Sequence, residues 1–365
     1  MTGDTVVVIG GGTSGSIVAR TVASRTGRPV VLVEPGGRTD DDVPRFMDLL
    51  QGDALLPGEP VPQARALGGG SAVNGMILSG PVPGWLEGLV STARPMDAGA
   101  VGRALLGTGG RLSTLWWNNG RWNPARSVLH AEEEGRIRII RSAATSIRGS
   151  AGRALGVVTA DGEIACGHLV LCAGALVTPR LLHAAGVAGP VGSGLQNHPT
   201  VSFTVPRPGP DRGTFDACVV RDLHVDGAVG LMIAFERLSA TEPDSGLVTV
   251  SLMNPVSRGT VLPHVDFSFL SDPADRRGFG ALMEAAREVL QQSGLVVTAE
   301  SGVHGVSHPT SSCSLVTDTD GNVEGLGNVT VADASVLRSV PPETPAASVT
   351  IEARRIALAL SGRLA

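Results

Sequence analysis

Near its start the chain runs Val6-Val7-Val8-Ile9 straight into Gly10-Gly11-Gly12-Thr13-Ser14-Gly15, a junction that few folds accommodate. Four β-branched residues in a row suit a strand buried on both faces of a parallel sheet. Ser16-Ile17-Val18-Ala19 then reads as a helix, and Val30-Val31-Leu32-Val33 is a second buried strand ending at Glu34. Strand, GxGxxG, helix, strand and acid stand in the order and at the spacing of a dinucleotide-binding βαβ unit. Gly10 permits the tight turn, Gly12 lets the backbone approach a pyrophosphate, and Gly15 lets the helix pack on the sheet. The helix start at Thr13 and Ser14 offers free N–H groups and a favourable dipole to that anion. Glu34, about 20 residues past the glycines, is placed to accept hydrogen bonds from a ribose. A lone GxGxxG is as easily a structural loop; here the flanking strands and the acid decide for a dinucleotide, without separating FAD from NAD.

The remaining composition narrows the class. A chain of 365 residues holds one large domain or two smaller ones with a sizeable core. The net charge of −5 is mild and the arginines are scattered, so no nucleic-acid footprint is expected. Lysine and tyrosine do not occur, which removes both as catalytic bases. Cys166, Cys172, Cys218 and Cys313 form no CxxC pair and no disulfide framework, and no His/Cys/Asp spacing suits a metal. The first apolar run is too short for a signal peptide, and no run of about 18 apolar residues spans a membrane. A cytoplasmic enzyme is the expectation, and Asn328-Val329-Thr330 is then a chance glycosylation match.

A second glycine cluster separates the cofactors. Arg65-Ala66-Leu67-Gly68-Gly69-Gly70-Ser71-Ala72-Val73-Asn74-Gly75-Met76 resembles the first signature of the glucose–methanol–choline (GMC) flavoenzymes. In that family this loop runs along the flavin, with a Ser or Thr where Ser71 stands and an Asn or His where Asn74 stands. Some members attach FAD covalently through a His just before that Asn. Val73 holds the position here, so the resemblance implies non-covalent FAD. Leu78 departs from the aromatic or Ala usual there.

The middle of the chain follows the family's order. Asn119-Gly120-Arg121-Trp122 and Ala125-Arg126-Ser127-Val128-Leu129 are similar to the segment before the second half of the FAD domain. Arg136 to Arg141 alternates as a half-exposed strand should, and Ala144 follows where the family lays the adenine. Ala154 to Thr159, the turn Asp161-Gly162, and Glu163 to Cys166 predict a hairpin. Leu169-Val170-Leu171-Cys172-Ala173-Gly174 is a buried strand ending in small residues, with Thr178 as a helix N-cap and Pro179 at the first helical position. This resembles the second family signature, with Ala185 replacing the usual Ser. Gln196-Asn197-His198-Pro199 resembles a segment that usually has Asp at Asn197, and His198 reads as a packing and hydrogen-bonding residue. His130, His168, His264 and His304 have no supporting pattern. Phe279 to Gln292 has helical periodicity. Trp116, Trp117 and Trp122 suit either core or pocket lining.

The expected chemistry lies near the C-terminus. Ser307-His308-Pro309-Thr310-Ser311-Ser312 resembles the string around the family's catalytic His, usually His-Pro-Val-Gly-Thr. Asp333-Ala334-Ser335 resembles the Asp-(Ala/Gly)-Ser turn whose Asp lies near the pyrophosphate and ribityl chain. A terminal helix starting near Pro345-Ala346 would aim its N-terminus at the reduced flavin. Alcohol oxidation needs a base at the hydroxyl while hydride leaves carbon, and a neutral imidazole suits that task. The family's second catalytic His or Asn sits eleven positions after the Asp. Here that position is Thr344, so His308 works alone or with Thr344 or Glu343.

The resemblance implies an α/β fold: a Rossmann-like FAD-binding domain with an inserted, reduced α+β substrate domain. The FAD domain is then discontinuous, over 1–90, 118–198 and 305–365. The substrate domain is 199–304, with 91–117 as lid or linker. The expected activity is hydride transfer from a small-molecule alcohol to flavin N5, with O2 or another compound as final acceptor. The alternative keeps fold and FAD but performs hydroxynitrile-lyase-like acid–base chemistry, or another flavoenzyme reaction that does not oxidise an alcohol. A degenerate FAD scaffold and a nicotinamide enzyme are the weaker readings.

Overall fold

The computed structural model describes residues 4–50, 52–80, 82, 84–209, 212–237, 242 and 244–365. Its first body is a five-stranded parallel sheet in the order Val329–Val331, His168–Leu171, Val6–Ile9, Val30–Val33, Ile137–Ile140. Val6 to Val8 are fully buried, so each side chain loses its water on folding. That burial is worth about 1.5–3 kcal/mol per residue. Helix Thr13–Thr26 packs against both Ala125–Glu133 and the C-terminal helix Ala346–Leu364. Val18, Val22, Val128, Ile356 and Leu360 join the sheet in one core. The predicted hairpin is present, as Arg153–Thr159 paired with Gly162–Ala165, and Ala144–Ser150 adds a third antiparallel strand.

The second body is a six-stranded antiparallel sheet, in the order Ala299–Glu300, Thr200–Pro206, Ser245–Leu252, Ala228–Phe235, Ala217–Val225, Arg111–Leu112. Helix Pro273–Ser293 lies on it and buries Phe279, Leu282, Met283, Ala286, Val289 and Leu290, one apolar stripe at helical spacing. The close approach is specific: a Cβ on Gly230 would come within 2.7 Å of Leu282. The helix begins six residues before the periodic stretch. Asp272 caps it by accepting from the Ala274 N–H at 2.7 Å, and Pro273 takes the first position. Residues 91–117 supply the edge strand Arg111–Leu112 and the helix Ala100–Leu106, both packed with this second sheet.

Besides the excursion of residues 91–117, the chain crosses between the bodies on two segments that lie side by side. Backbone bridges Gln196–Thr310 and Thr200–His304 join residues 196–200 to 304–310. Gln196 ties the crossing down further, donating to the Pro255 and Ser257 carbonyls and accepting from the Val340 N–H. Among the described residues no helix is long and apolar enough to cross a membrane, and no cluster of His, Cys, Asp and Glu has the makings of a metal site.

Candidate active site

The two glycine-rich loops meet over the start of the first helix. Gly10 has φ +92°, and a Cβ there would meet the Cys172 carbonyl at 2.4 Å. A Cβ on Gly15 would lie 1.8 Å from the Gly10 carbonyl oxygen, so no side chain fits where the helix rests on the strand. The Gly68 N–H donates to the Gly11 carbonyl, and a Cβ on Gly69 would strike the Gly12 Cα. The Thr13 hydroxyl lies 2.7 Å from that of Ser71 and 3.1 Å from the Gly68 carbonyl. The helix N-cap, Gly12, contributes no side-chain bond, and the first turn, from Thr13 and Ser14, carries no acid. The N–H groups of that turn therefore face no acid of the turn itself. Ideal Cβ atoms on Gly70 and Gly174 meet nothing within 4 Å, so the backbone there borders open space.

Glu34 is 6% exposed, and its two oxygens accept from the backbone N–H groups of Gly11 and Gly36 at 2.8 and 2.7 Å. Burial raises its pKa above the ordinary carboxylate range against the pull of those bonds and of Arg141 and Arg65. The Arg65 backbone passes so close to Gly36 that a Cβ there would lie 2.3 Å from it. Ala144 opens the strand that follows Ile140, whose carbonyl receives the Glu34 N–H.

Asn74, Gly75 and Met76 continue the second loop. Arg121, fully buried, donates to both the backbone and side-chain oxygens of Asn74 at 2.6 and 2.9 Å. The Met76 N–H also donates to Asn74 Oδ1, at 3.1 Å. Two donors on one oxygen fix the amide's orientation and leave Nδ2 to donate elsewhere. Met76 is buried at φ +60°, an unusual conformation for a side-chain-bearing residue. Nothing in the sequence points Arg121 at Asn74, 47 positions away.

Cys172 and Ala173 lead to Gly174, whose N–H donates to Asp333 Oδ2 at 2.8 Å. The same oxygen accepts from the Thr178 hydroxyl at 2.6 Å, while Oδ1 accepts from the Ser335 N–H and hydroxyl. Burial raises the Asp333 pKa, and these four bonds oppose the rise. Thr178 is therefore not the helix cap that its position predicts: Val177 holds that place, and the Thr178 hydroxyl serves Asp333 instead. Cys172 is buried and its thiol is pushed well above its usual pKa, by burial first and then by Asp333.

His308 stands beside this turn, because Ser311 and Cys313 donate their N–H groups to the Ala334 and Ser335 carbonyls. The ring is half-buried. Its pKa is held well below the usual imidazole value, by burial and then by His198. His308 Nδ1 lies 3.0 Å from His198 Nδ1, with the rings edge to face. His198 Nε2 lies 3.0 Å from the Pro341 carbonyl oxygen. Thr344 lies on the same segment as Pro341 and is buried. Its hydroxyl donates to the Ile77 carbonyl at 2.8 Å, and its N–H donates to the Ser79 hydroxyl at 2.8 Å. Pro345 and Ala346 follow, Pro345 as N-cap of the last helix, again without a side-chain cap. Glu343 accepts from the Ser348 hydroxyl at 2.8 Å.

The tryptophans divide. Trp116 is core and stacks on Trp122 at 4.6 Å, and Trp117 meets Phe215 edge to face. Trp122 also lines a cleft of about 450 Å3 with Arg20, Trp85, Arg121 and Arg354. None of the cleft's lining residues comes from the His308 or Thr344 segments.

Known proteins share the family and the fold of this chain. Residues 106–200 and 244–353 match the N- and C-terminal models described as GMC oxidoreductase, together more than half of the chain. The dehydrogenase pyvF of Aspergillus violaceofuscus (strain CBS 115571) is 26% identical over 59% of this chain and 49% of its own length. The dehydrogenase pkfF of Emericella nidulans is 26% identical over 37% of this chain and 28% of its own. The chain thus spans half or less of the curated relatives it matches. Pyridoxine 4-oxidase from Mesorbium loti superposes with a TM-score of 0.79 at 18% identity, covering 98% of this chain and 99% of that one. A variant of formate oxidase from Aspergillus oryzae RIB40 gives 0.78 at 16%, covering both chains completely. These solved structures share the fold: a Rossmann-like FAD-binding body with an inserted α+β body. With both family models matched, over more than half of the residues, on a chain of that architecture, the chain belongs to the GMC oxidoreductase family.

Proposed function

We propose that this protein is an FAD-dependent oxidoreductase that takes hydride from the CH–OH carbon of a small-molecule alcohol, with His308 as general base. The observation that carries the reading is the place of His308, on a loop bonded directly to the Asp333 turn and with its Nδ1 3.0 Å from His198 Nδ1. Burial, which lowers its pKa, favours the neutral ring a base needs. The cradle fits a dinucleotide: an uncapped helix N-terminus, glycines that no Cβ could replace, and open space beside Gly70 and Gly174. In this reading Gly10, Gly12, Thr13, Ser14, Gly15, Glu34, Ser71, Asn74, Met76 and the Asp333-Ala334 turn hold FAD non-covalently. Bound FAD supplies the two-electron acceptor for the hydride. His308 removes the hydroxyl proton as the carbon gives up its hydride, so no free alkoxide accumulates. The N-terminus of helix Ala346–Leu364 faces negative charge that develops in the site. Thr344 serves by holding the Pro341–Ala346 segment against strand Ile77–Leu78, since its proton already rests on the Ile77 carbonyl. The body at 199–304, joined by 91–117, forms the substrate side.

The engagement of Thr344 also favours one second reading, in which His308 alone performs acid–base lyase chemistry beside an FAD that does not turn over. Anaerobic titration of the FAD-loaded protein with primary and secondary alcohols separates the two. Hydride transfer bleaches the flavin, and His308→Ala slows that bleaching by ~10²–10⁴. An FAD-loaded protein that no alcohol bleaches overturns the oxidoreductase reading in favour of the lyase.

A further inference from the structure

We propose that His198 is a positioning residue that fixes the ring tautomer of His308, so that His308 turns an unprotonated Nε2 toward the substrate. The part played by that nitrogen rests on the reading of His308 as base; the tautomer itself does not.

The hydrogen-bond partners fix where the protons sit. The Pro341 carbonyl can only accept, so His198 Nε2, 3.0 Å away, carries a proton. His198 has no exposure at all, and burial depresses its pKa to about 4 against the nearby Pro341 and Met253 carbonyls, so the ring is neutral and holds a single N–H. Of these two carbonyls, only that of Pro341 is within hydrogen-bond geometry of the ring. With that proton on Nε2, His198 Nδ1 is a lone pair. It meets His308 Nδ1 at 3.0 Å, and two lone pairs at that distance would repel, so His308 Nδ1 carries the second proton. His308 is also neutral, which leaves its Nε2 unprotonated. Among the described residues, no hydrogen bond engages that nitrogen. The relay is anchored at its far end, because Asn197 accepts from the His198 N–H at 2.8 Å and donates to the Val306 carbonyl at 2.7 Å. A base that must receive a proton is thus kept in the one tautomer able to receive it at Nε2.

The test begins with the FAD-loaded protein labelled with 15N-histidine, read by long-range proton–nitrogen correlation at neutral pH and assigned with His308→Ala. The expected spectrum shows His308 protonated at Nδ1 and bare at Nε2; the reverse tautomer overturns the proposal. Two variants then separate positioning from packing. In His198→Asn the side-chain oxygen takes the place of Nδ1 and still accepts from His308, whereas His198→Gln reaches toward Pro341 and removes that acceptor. His198→Gln is expected to slow alcohol-driven flavin reduction about 10²-fold, near the lower bound for loss of a base, and to mix the His308 tautomers. His198→Asn is expected to restore most of the rate. A Gln variant equal to wild type beside a damaged Asn variant would mean that His198 only bolts Pro341 in place, and the proposal fails. If no alcohol reduces the flavin, the reading of His308 as a hydride-transfer base has failed, and the spectrum alone still decides the tautomer. If a variant does not fold, the wild-type spectrum decides in the same way.

Discussion

Ser311 sits at φ +72° with no solvent exposure, three residues past the proposed base. It occupies the place where His-Pro-Val-Gly-Thr has its glycine, and the conformation explains why a glycine belongs there. A left-handed backbone costs an ordinary residue roughly 1–2 kcal/mol, while glycine gives back about 0.4–1 kcal/mol through the freedom of its unfolded chain. The Ser311 hydroxyl makes only a 3.1 Å bond to its neighbour Thr310. Ser311→Gly should therefore stabilise the protein by about 0.5–1 kcal/mol, read as a higher urea midpoint at unchanged slope. A loss of stability would show that the hydroxyl matters more than the backbone. His308 was legible from its motif. Its partner was not: His198 and His308 stand far apart along the chain, and what joins them is a hydrogen bond through space.

At the level of segments, the piece from Pro341 to Ala346 carries no regular structure before its helix, yet it is fastened at both ends. His198 holds Pro341, and the Thr344 hydroxyl and N–H hold Ile77 and Ser79. Thr344→Val keeps the shape but leaves the Ile77 carbonyl without its donor, a loss of about 1–3 kcal/mol for a buried acceptor. Thr344→Ser should lose far less, and thermal unfolding of the two variants makes the comparison. A fall in alcohol-driven flavin reduction out of proportion to lost stability would instead give Thr344 a direct catalytic part. The elements differ, for a physical reason, in how far local sequence determines them. Strands and glycine turns of the first body follow local rules. The start of Pro273–Ser293 is set by a cap that lies outside the apolar stripe, and Thr178 abandons a cap for a carboxylate that only the fold brings near.

Across the whole molecule, imidazoles out of full contact with water set the response to acid, His198 buried and His168 half-buried. His198 and His168 are both depressed to about 4, His198 by burial and His168 by burial and then by Arg363, Arg153 and Arg28. Their unfolded forms bind protons near 6.5, so the unfolded chain holds more protons between about pH 6.5 and 4. Stability is full above that window and falls as pH drops through it, by an order-of-magnitude ~3 kcal/mol for His198 alone. Asp333 and Glu34 act with opposite sign: their raised values mean that protonation favours the fold, which partly offsets the loss at the acid end. Urea unfolding at pH 7.5 and pH 5 should show the decline, and His198→Gln should flatten it; an equal slope in the variant would remove His198 as its source. The second body was the least legible part of the chain, because an antiparallel sheet with one covering helix needs only alternation and volume, and those leave no motif to find.

The two crossing segments are unequal in a way that bears on His308. Between the same pair of bridges one strand advances four residues, from 196 to 200, while the other advances six, from 304 to 310. Two surplus residues must bow out of the ribbon, and His308 rides on the bow, with Asn197 gripping it at Val306. The reach of the imidazole is thus a matter of contour length as well as side-chain identity. A chain that kept every named residue but trimmed this arc to match its partner would pull the ring back into the seam.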